Sequence, residues 1–231
     1  MDIGRAVGYI FEDKRWIQKL APLLLVGILS LVPIFGLLAT ALGLGFMLQL
    51  ACNVRDGLPR PIPEWKELEE KFRVGGYVLL AGIIYNLPLI LFSACTFSIA
   101  GLGGTGFLGF ASGIYIACCA VPILLMYALF GYTMLGVGVT EYLQTNDVMR
   151  MYRPLHLWDV MQANSGTITQ WVMYTVLTNV VLAILLVIPV LGWAVVLLFG
   201  YPVQGHLFGQ FAHKLGISNR PQTKRRTPNA R

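Results

Sequence analysis

Three carboxamides, Asn86, Asn179 and Gln204, stand in long stretches of chain that hold no charged residue. Amides in such a setting can tie helices together by hydrogen bonds, and they can also line a pathway for a neutral solute. Thr133 and Gln210 belong to the same set. Ion-coupled chemistry would need ionisable groups at the same depth, and only His206, with His213 at the edge, answers that description. His206 is expected to pack or to sit at an interface. Ser112 has neither a histidine nor a carboxylate in its stretch, and no His/Asp/Glu cluster has metal-ligand spacing. Glu64, Glu67, Glu69 and Glu70 interleave with Lys66, Lys71 and Arg73, as on a solvated helix face with local ion pairs. Cys52, Cys95, Cys118 and Cys119 read as small apolar packing residues. The expectation is therefore no catalytic residue, no cofactor and no metal.

The elements that must position these amides follow from charge. All 17 basic and 11 acidic residues fall within 1–19, 55–73, 141–159 and 214–231. The blocks between them, 20–54, 74–140 and 160–213, are uncharged runs of 35, 67 and 54 residues. About 20 apolar residues span a bilayer, so the chain reads as a multi-pass membrane protein, 56% hydrophobic and 12% charged. The net charge of +6 comes wholly from the tail after His213, which marks a cytoplasmic end and gives no ground for nucleic-acid binding. The first apolar run is too long for a cleaved signal and is expected to be retained.

Each block is too long for one crossing. As a single helix, 20–54 would measure about 50 Å against a hydrocarbon core of about 30 Å, and Pro33 and Gly36 break it into helices near 17–32 and 37–54. A re-entrant pair is the alternative there. Gly101, Gly103, Gly104 and Gly106 divide the second block into helices near 75–96 and 107–140, the latter kinked at Pro122. Pro189 and Gly192 divide the third near 168–188 and 193–213. The predicted fold is all-α and integral to the membrane. It is a six-helix transmembrane bundle of three hairpins, about 17–54, 75–140 and 168–213, in one membrane domain over 1–213. Residues 214–231 are expected to form a basic, disordered cytoplasmic tail. Even crossings place every Lys and Arg on one side, so both termini are expected in the cytoplasm, at the inner membrane.

The charged stretches themselves carry apolar stripes. Residues 1–19, 63–73 and 154–163 read as short amphipathic interfacial helices, the last two opened by Pro63 and Pro154, with Trp16, Trp65 and Trp158 as anchors at headgroup level. They serve either anchoring or docking of a protein partner. Gly109-x-x-x-Gly113 and Gly205-x-x-x-Gly209 permit close helix approach, within the chain by default and between copies in a homo-oligomer.

Several segments resemble those of the bacterial and archaeal multi-pass membrane proteins grouped as domain of unknown function number 4013. They are Phe11-Glu12-Asp13-Lys14-Arg15-Trp16, Leu31-Val32-Pro33-Ile34, Arg55-Asp56-Gly57, Pro63-Glu64-Trp65, Gly75-Gly76, Tyr85-Asn86-Leu87-Pro88 and His206-Leu207-Phe208-Gly209-Gln210. The resemblance spans most of 10–215 and departs at Lys14 and at Arg60-Pro61-Ile62. It implies an integral membrane protein and supplies no activity or site residues. The leading functional expectation is a non-enzymatic scaffold, assembly factor or accessory subunit. The alternative is a channel or facilitator for a neutral or amphipathic small molecule, using Asn86, Asn179 and Gln204.

Overall fold

A computed structural model describes residues 1–102 and 107–218. Of the described residues 86% are helical, and none is in a strand. Among them nine α-helices follow one another: α1 Ile3–Glu12, α2 Trp16–Leu29, α3 Pro33–Arg55, α4 Leu68–Leu102, α5 Phe107–Tyr115, α6 Val121–Thr145, α7 Pro154–Ala163, α8 Ser165–Leu185 and α9 Leu191–Ser218. A π-helical turn, Ile116–Ala120, joins α5 to α6, and a 3-10 turn, Val148–Tyr152, precedes α7. Among the described residues five helices are long and apolar enough to cross a membrane: those over Phe35–Arg55, Leu68–Ser98, Gly109–Thr145, Ser165–Leu185 and Leu191–Gly216. The remaining apolar helix, α2, has 14 residues and is about 21 Å long.

The helix breaks follow local chemistry. Ser30–Val32 separates α2 from α3, and Pro33 opens α3 four residues earlier than its expected start, since its missing N–H costs nothing at a first turn. Pro189 acts differently: it lies in a turn whose next residue, Val190, is left-handed (φ 63°), and α9 begins after it. The strain expected at Pro122 is taken up as the π-turn just before it. Asn146, at φ 55°, ends α6 with a left-handed cap. The turn is expected over 97–106, but α4 continues as helix through Leu102, and 103–106 lie outside the described residues. So does the tail beyond Ser218, whereas 214–218 continue α9 as helix.

Two of the expected interfacial helices take another form. Residues 1–19 are not one helix. The Asp13 carboxylate accepts from the Arg15 amide at 2.9 Å, its carbonyl accepts from Trp16 N–H, and the chain turns there. The α1 helix then lies antiparallel along α9: Asp2 pairs with Gln210, Tyr9 reaches Pro202, and Phe11 meets Phe199 at 6.1 Å. No helix forms over 63–67, because Pro59, Pro61 and Pro63 remove donors and hold the segment extended. Glu67, at φ 56°, turns the chain into α4, so 68–73 is the first part of a long helix. Pro154 does open α7.

The core has two parts. One centres on Trp171, stacked on Phe211 at 4.6 Å and on Tyr132 at 5.3 Å. The other joins Tyr9, Ile10, Leu20, Phe46 and Leu207. Gly205 and Gly209 let α9 approach α3 closely: a methyl on them would stand 3.0 Å from the Met47 carbonyl and 2.7 Å from the Ala51 carbonyl. That close-approach motif is used inside one chain.

Candidate intramembrane cavity

The charged end of the bundle is tied together by polar contacts. Asp2 N–H donates to Gln210 Oε1 at 2.8 Å and Gln210 Nε2 donates back to the Asp2 carbonyl at 3.0 Å. His213 Nδ1 bonds the Arg55 carbonyl at 3.0 Å, and Arg55 also donates to the Leu143 carbonyl. Lys214 reaches Gln170 at 3.0 Å. Glu141, 5% exposed, lies 3.6 Å from Arg150 and 3.5 Å from His156. Lys19 Nζ donates to Asp13 at 2.7 Å and to the Ile62 carbonyl at 3.1 Å. These contacts bring the first three charged stretches and Lys214 to one end of the bundle.

Asp13 is 5% exposed. Burial alone would raise its carboxyl pKa. The Lys19 ammonium and the Arg15 amide outweigh that and hold it below the ordinary value of 3.8. Arg55 lowers that of Asp56 through a 2.8 Å ion pair. Among the described residues no three His, Cys, Asp or Glu converge as a metal set.

The tryptophans occupy three environments. Trp65 is drawn into the protein: its ring stacks on Phe46 at 4.9 Å and its Nε1 donates to the Lys19 carbonyl at 2.6 Å. Trp16 packs between Phe11 and Phe199, at 5.4 and 5.9 Å. Trp158 remains 44% exposed, 6.1 Å from Phe130. His206 is a packing residue, stacked on Tyr9 at 4.4 Å.

Gln210 ties α9 to the start of α1, but Asn86 and Asn179 do not tie helix to helix. Asn86 Nδ2 donates to Gly82 on its own helix at 2.8 Å, and Asn179 Nδ2 to Thr175 at 3.0 Å. Gln204 differs: its Nε2 is enclosed and has no hydrogen-bond partner. Asn179 and Gln204 line a single, partly open cavity of about 590 Å³ bordered by α2, α3, α4, α6, α8 and α9. Asn86 is not part of it, and faces Gly131 of α6. Leu44, Leu135, Leu182 and Leu197 supply much of the wall, and Tyr132, Tyr201 and Ser30 add the other polar groups. No charged side chain lines it. Such a space, apolar with a few convergent polar atoms, has the size and character of a small-molecule site. Residue periodicity reveals the amides but not this cavity, because the cavity arises from how six helices pack together.

The fold and the cavity define a class: an all-helical protein of membrane-length apolar helices around an uncharged internal space. The chain belongs to the family described as Protein of unknown function (DUF4013), which matches residues 28–197. No curated protein and no solved structure matches it.

Proposed function

We propose that this chain is a non-enzymatic integral protein of the inner membrane that receives a neutral or amphipathic small molecule in the cavity between its helices. The carrying observation is the largely apolar, uncharged cavity of about 590 Å³, to which Ser30, Tyr132, Asn179, Tyr201 and Gln204 bring a few polar groups. Gly200 faces the cavity, and a Cβ there would meet nothing within 4 Å, so Gly200→Leu fills the space without a clash. Trp171 lines the cavity and reports occupancy. Titration of the purified protein with uncharged amphipathic compounds should quench its tryptophan emission saturably, and Gly200→Leu should abolish the change. Equal quenching in Gly200→Leu would sink the reading.

We also propose six crossings in three hairpins, with both termini in the cytoplasm. Five membrane-length helices alone would put the termini on opposite faces, yet Asp2 is bonded to Gln210, four residues before Lys214. A return through α2 reconciles the two. Cys95, Cys118 and Cys119 lie exposed on apolar helices. Thiols react as thiolates, which form in water. In vesicles these cysteines should resist a water-soluble maleimide until detergent unfolds the chain, while Lys14→Cys and Arg60→Cys should label only from the cytoplasmic side. Labelling of either from outside would overturn the topology.

Docking of a protein partner keeps one specific support: Met149, Leu155 and Trp158 are exposed at 67%, 82% and 44% on the segment between α6 and α8. Co-purification at native expression, lost in Leu155→Glu, tests it. Recovery of the chain alone would count against it. A homo-oligomer through the open face at Gly113, where a Cβ would meet nothing, is the remaining partner proposal, read by mass in native detergent complexes.

A further inference from the structure

The cavity has a side opening. Helices α6 and α8 meet where Gly136 and Tyr132 hold the Trp171 ring. On the side of that contact away from the charged end they part, leaving a cleft of about 320 Å³ between Leu129 and Tyr132 on one side and Thr175, Asn179 and Ala183 on the other. Tyr132, Asn179 and Ala183 belong to both the cleft and the main cavity, so the two spaces adjoin. The outer lip is apolar: Leu129, Val176 and Val180 are exposed at 45%, 46% and 50%. It lies within two helices of membrane-crossing length and composition.

We propose that the ligand comes sideways out of the bilayer through this α6–α8 cleft, and that it is a lipid carrying a hydrocarbon chain and an uncharged oxygen-bearing end, such as an alcohol or an ester. This rests on the cavity reading above and names its ligand class. Hydrocarbon surrounds an apolar lip at membrane depth, so what diffuses to it is already dissolved in lipid. The uncharged lining gives no partner to a phosphate or ammonium headgroup, which would bear a large desolvation cost inside. A neutral oxygen meets Asn179 and Tyr132 at the cleft, and Gln204 and Tyr201 line the cavity within.

The test uses the full chain in lipid nanodiscs containing diacylglycerol with a photoactivatable diazirine in one acyl chain. Parallel discs carry the same diazirine chain on phosphatidylglycerol, and a third set receives a water-soluble diazirine alcohol. The expected result is labelling of peptides bearing Leu129–Tyr132, Thr175–Ala183 and Tyr201–Gln204 by the diacylglycerol. That labelling should fall several-fold in Ala183→Leu, at the cleft, and in Gly200→Leu, inside. Thermal melting of both variants checks that they are folded. If Gly200→Leu blocks labelling and Ala183→Leu does not, the cavity stands and the sideways route fails. Equal labelling by phosphatidylglycerol overturns the neutral end. Labelling by the soluble alcohol alone overturns the lipid. Loss of all labelling, with no tryptophan response to any compound, removes the cavity reading as well.

Discussion

Gly136 of α6 is the seat of the Trp171 indole of α8: a methyl group at 136 would run into ring atoms Cη2 and Cζ3. The ring has nowhere to retreat. It is 1% exposed, stacked against Phe211 on one partner contact and against Tyr132 on another.

Gly136→Ala should therefore destabilise the protein by about 1–3 kcal/mol through overpacking. At Gly76 of α4 an added Cβ meets nothing, and Gly76→Ala should be neutral or stabilising by up to about 1 kcal/mol. Detergent-solubilised melting curves of the two variants should move in opposite directions. A harmless Gly136→Ala would show that the contact is not as tight as described.

The Asp13–Lys19 pair should make the 58–67 segment acid-sensitive. The Asp13 carboxyl pKa is lowered on folding. Its stabilisation is present in full above the unfolded value of 3.8 and is lost as pH falls below that towards the folded value. The protection of 58–67 against hydrogen exchange, taken relative to intrinsic rates, should fall below about pH 4 and hardly change from pH 5 to 8. Lys19→Met leaves a carboxylate 6% exposed without its partner, and should cost roughly 3 kcal/mol. An unchanged exchange profile in Lys19→Met would refute the latch.

Trp65 and Trp158 should behave oppositely when truncated. Trp65→Ala removes the stack on Phe46 and the bond to the Lys19 carbonyl, with an expected loss of about 2–3 kcal/mol. Trp158→Ala should leave stability within about 0.5 kcal/mol, and should alter only the depth or partner contacts of α7. Equal losses would mean that Trp158 also packs internally.

Asn86→Leu should leave ligand binding unchanged, whereas Gln204→Leu should weaken it. The Asn86 amide is spent on the Gly82 carbonyl and lies outside the cavity. The same Trp171 quenching titration reads both variants. A binding defect in Asn86→Leu would extend the site towards α4.

Charge gaps and Pro/Gly breaks were enough to locate α3, α4, α6, α8 and α9 and the apolar α2, because a charge is costly in hydrocarbon and the spans exclude it. Trp65 shows where that reading runs out. Its stripe with Leu68 and Phe72 has helical spacing, yet the backbone before Leu68 cannot be helical with three prolines. An apolar stripe states that a face is covered, not whether lipid or Phe46 covers it. The same ambiguity hid the course of α1, whose apolar face is satisfied by α9. For the site, Asn179 and Gln204 were legible as amides out of water. Their convergence was not, because it depends on how α8 and α9 pack around the cavity.

The Gly136–Trp171 contact has a mechanical consequence. Leu129 lies seven residues along α6 from Gly136, about 10 Å at 1.5 Å per residue. With the two helices pinned at one point, a tilt of about 10° swings the lip by roughly 2 Å over that arm. A single glycine thus acts as the fulcrum of a lever, and the width of the membrane-facing slot becomes a matter of angle rather than of rebuilding any helix.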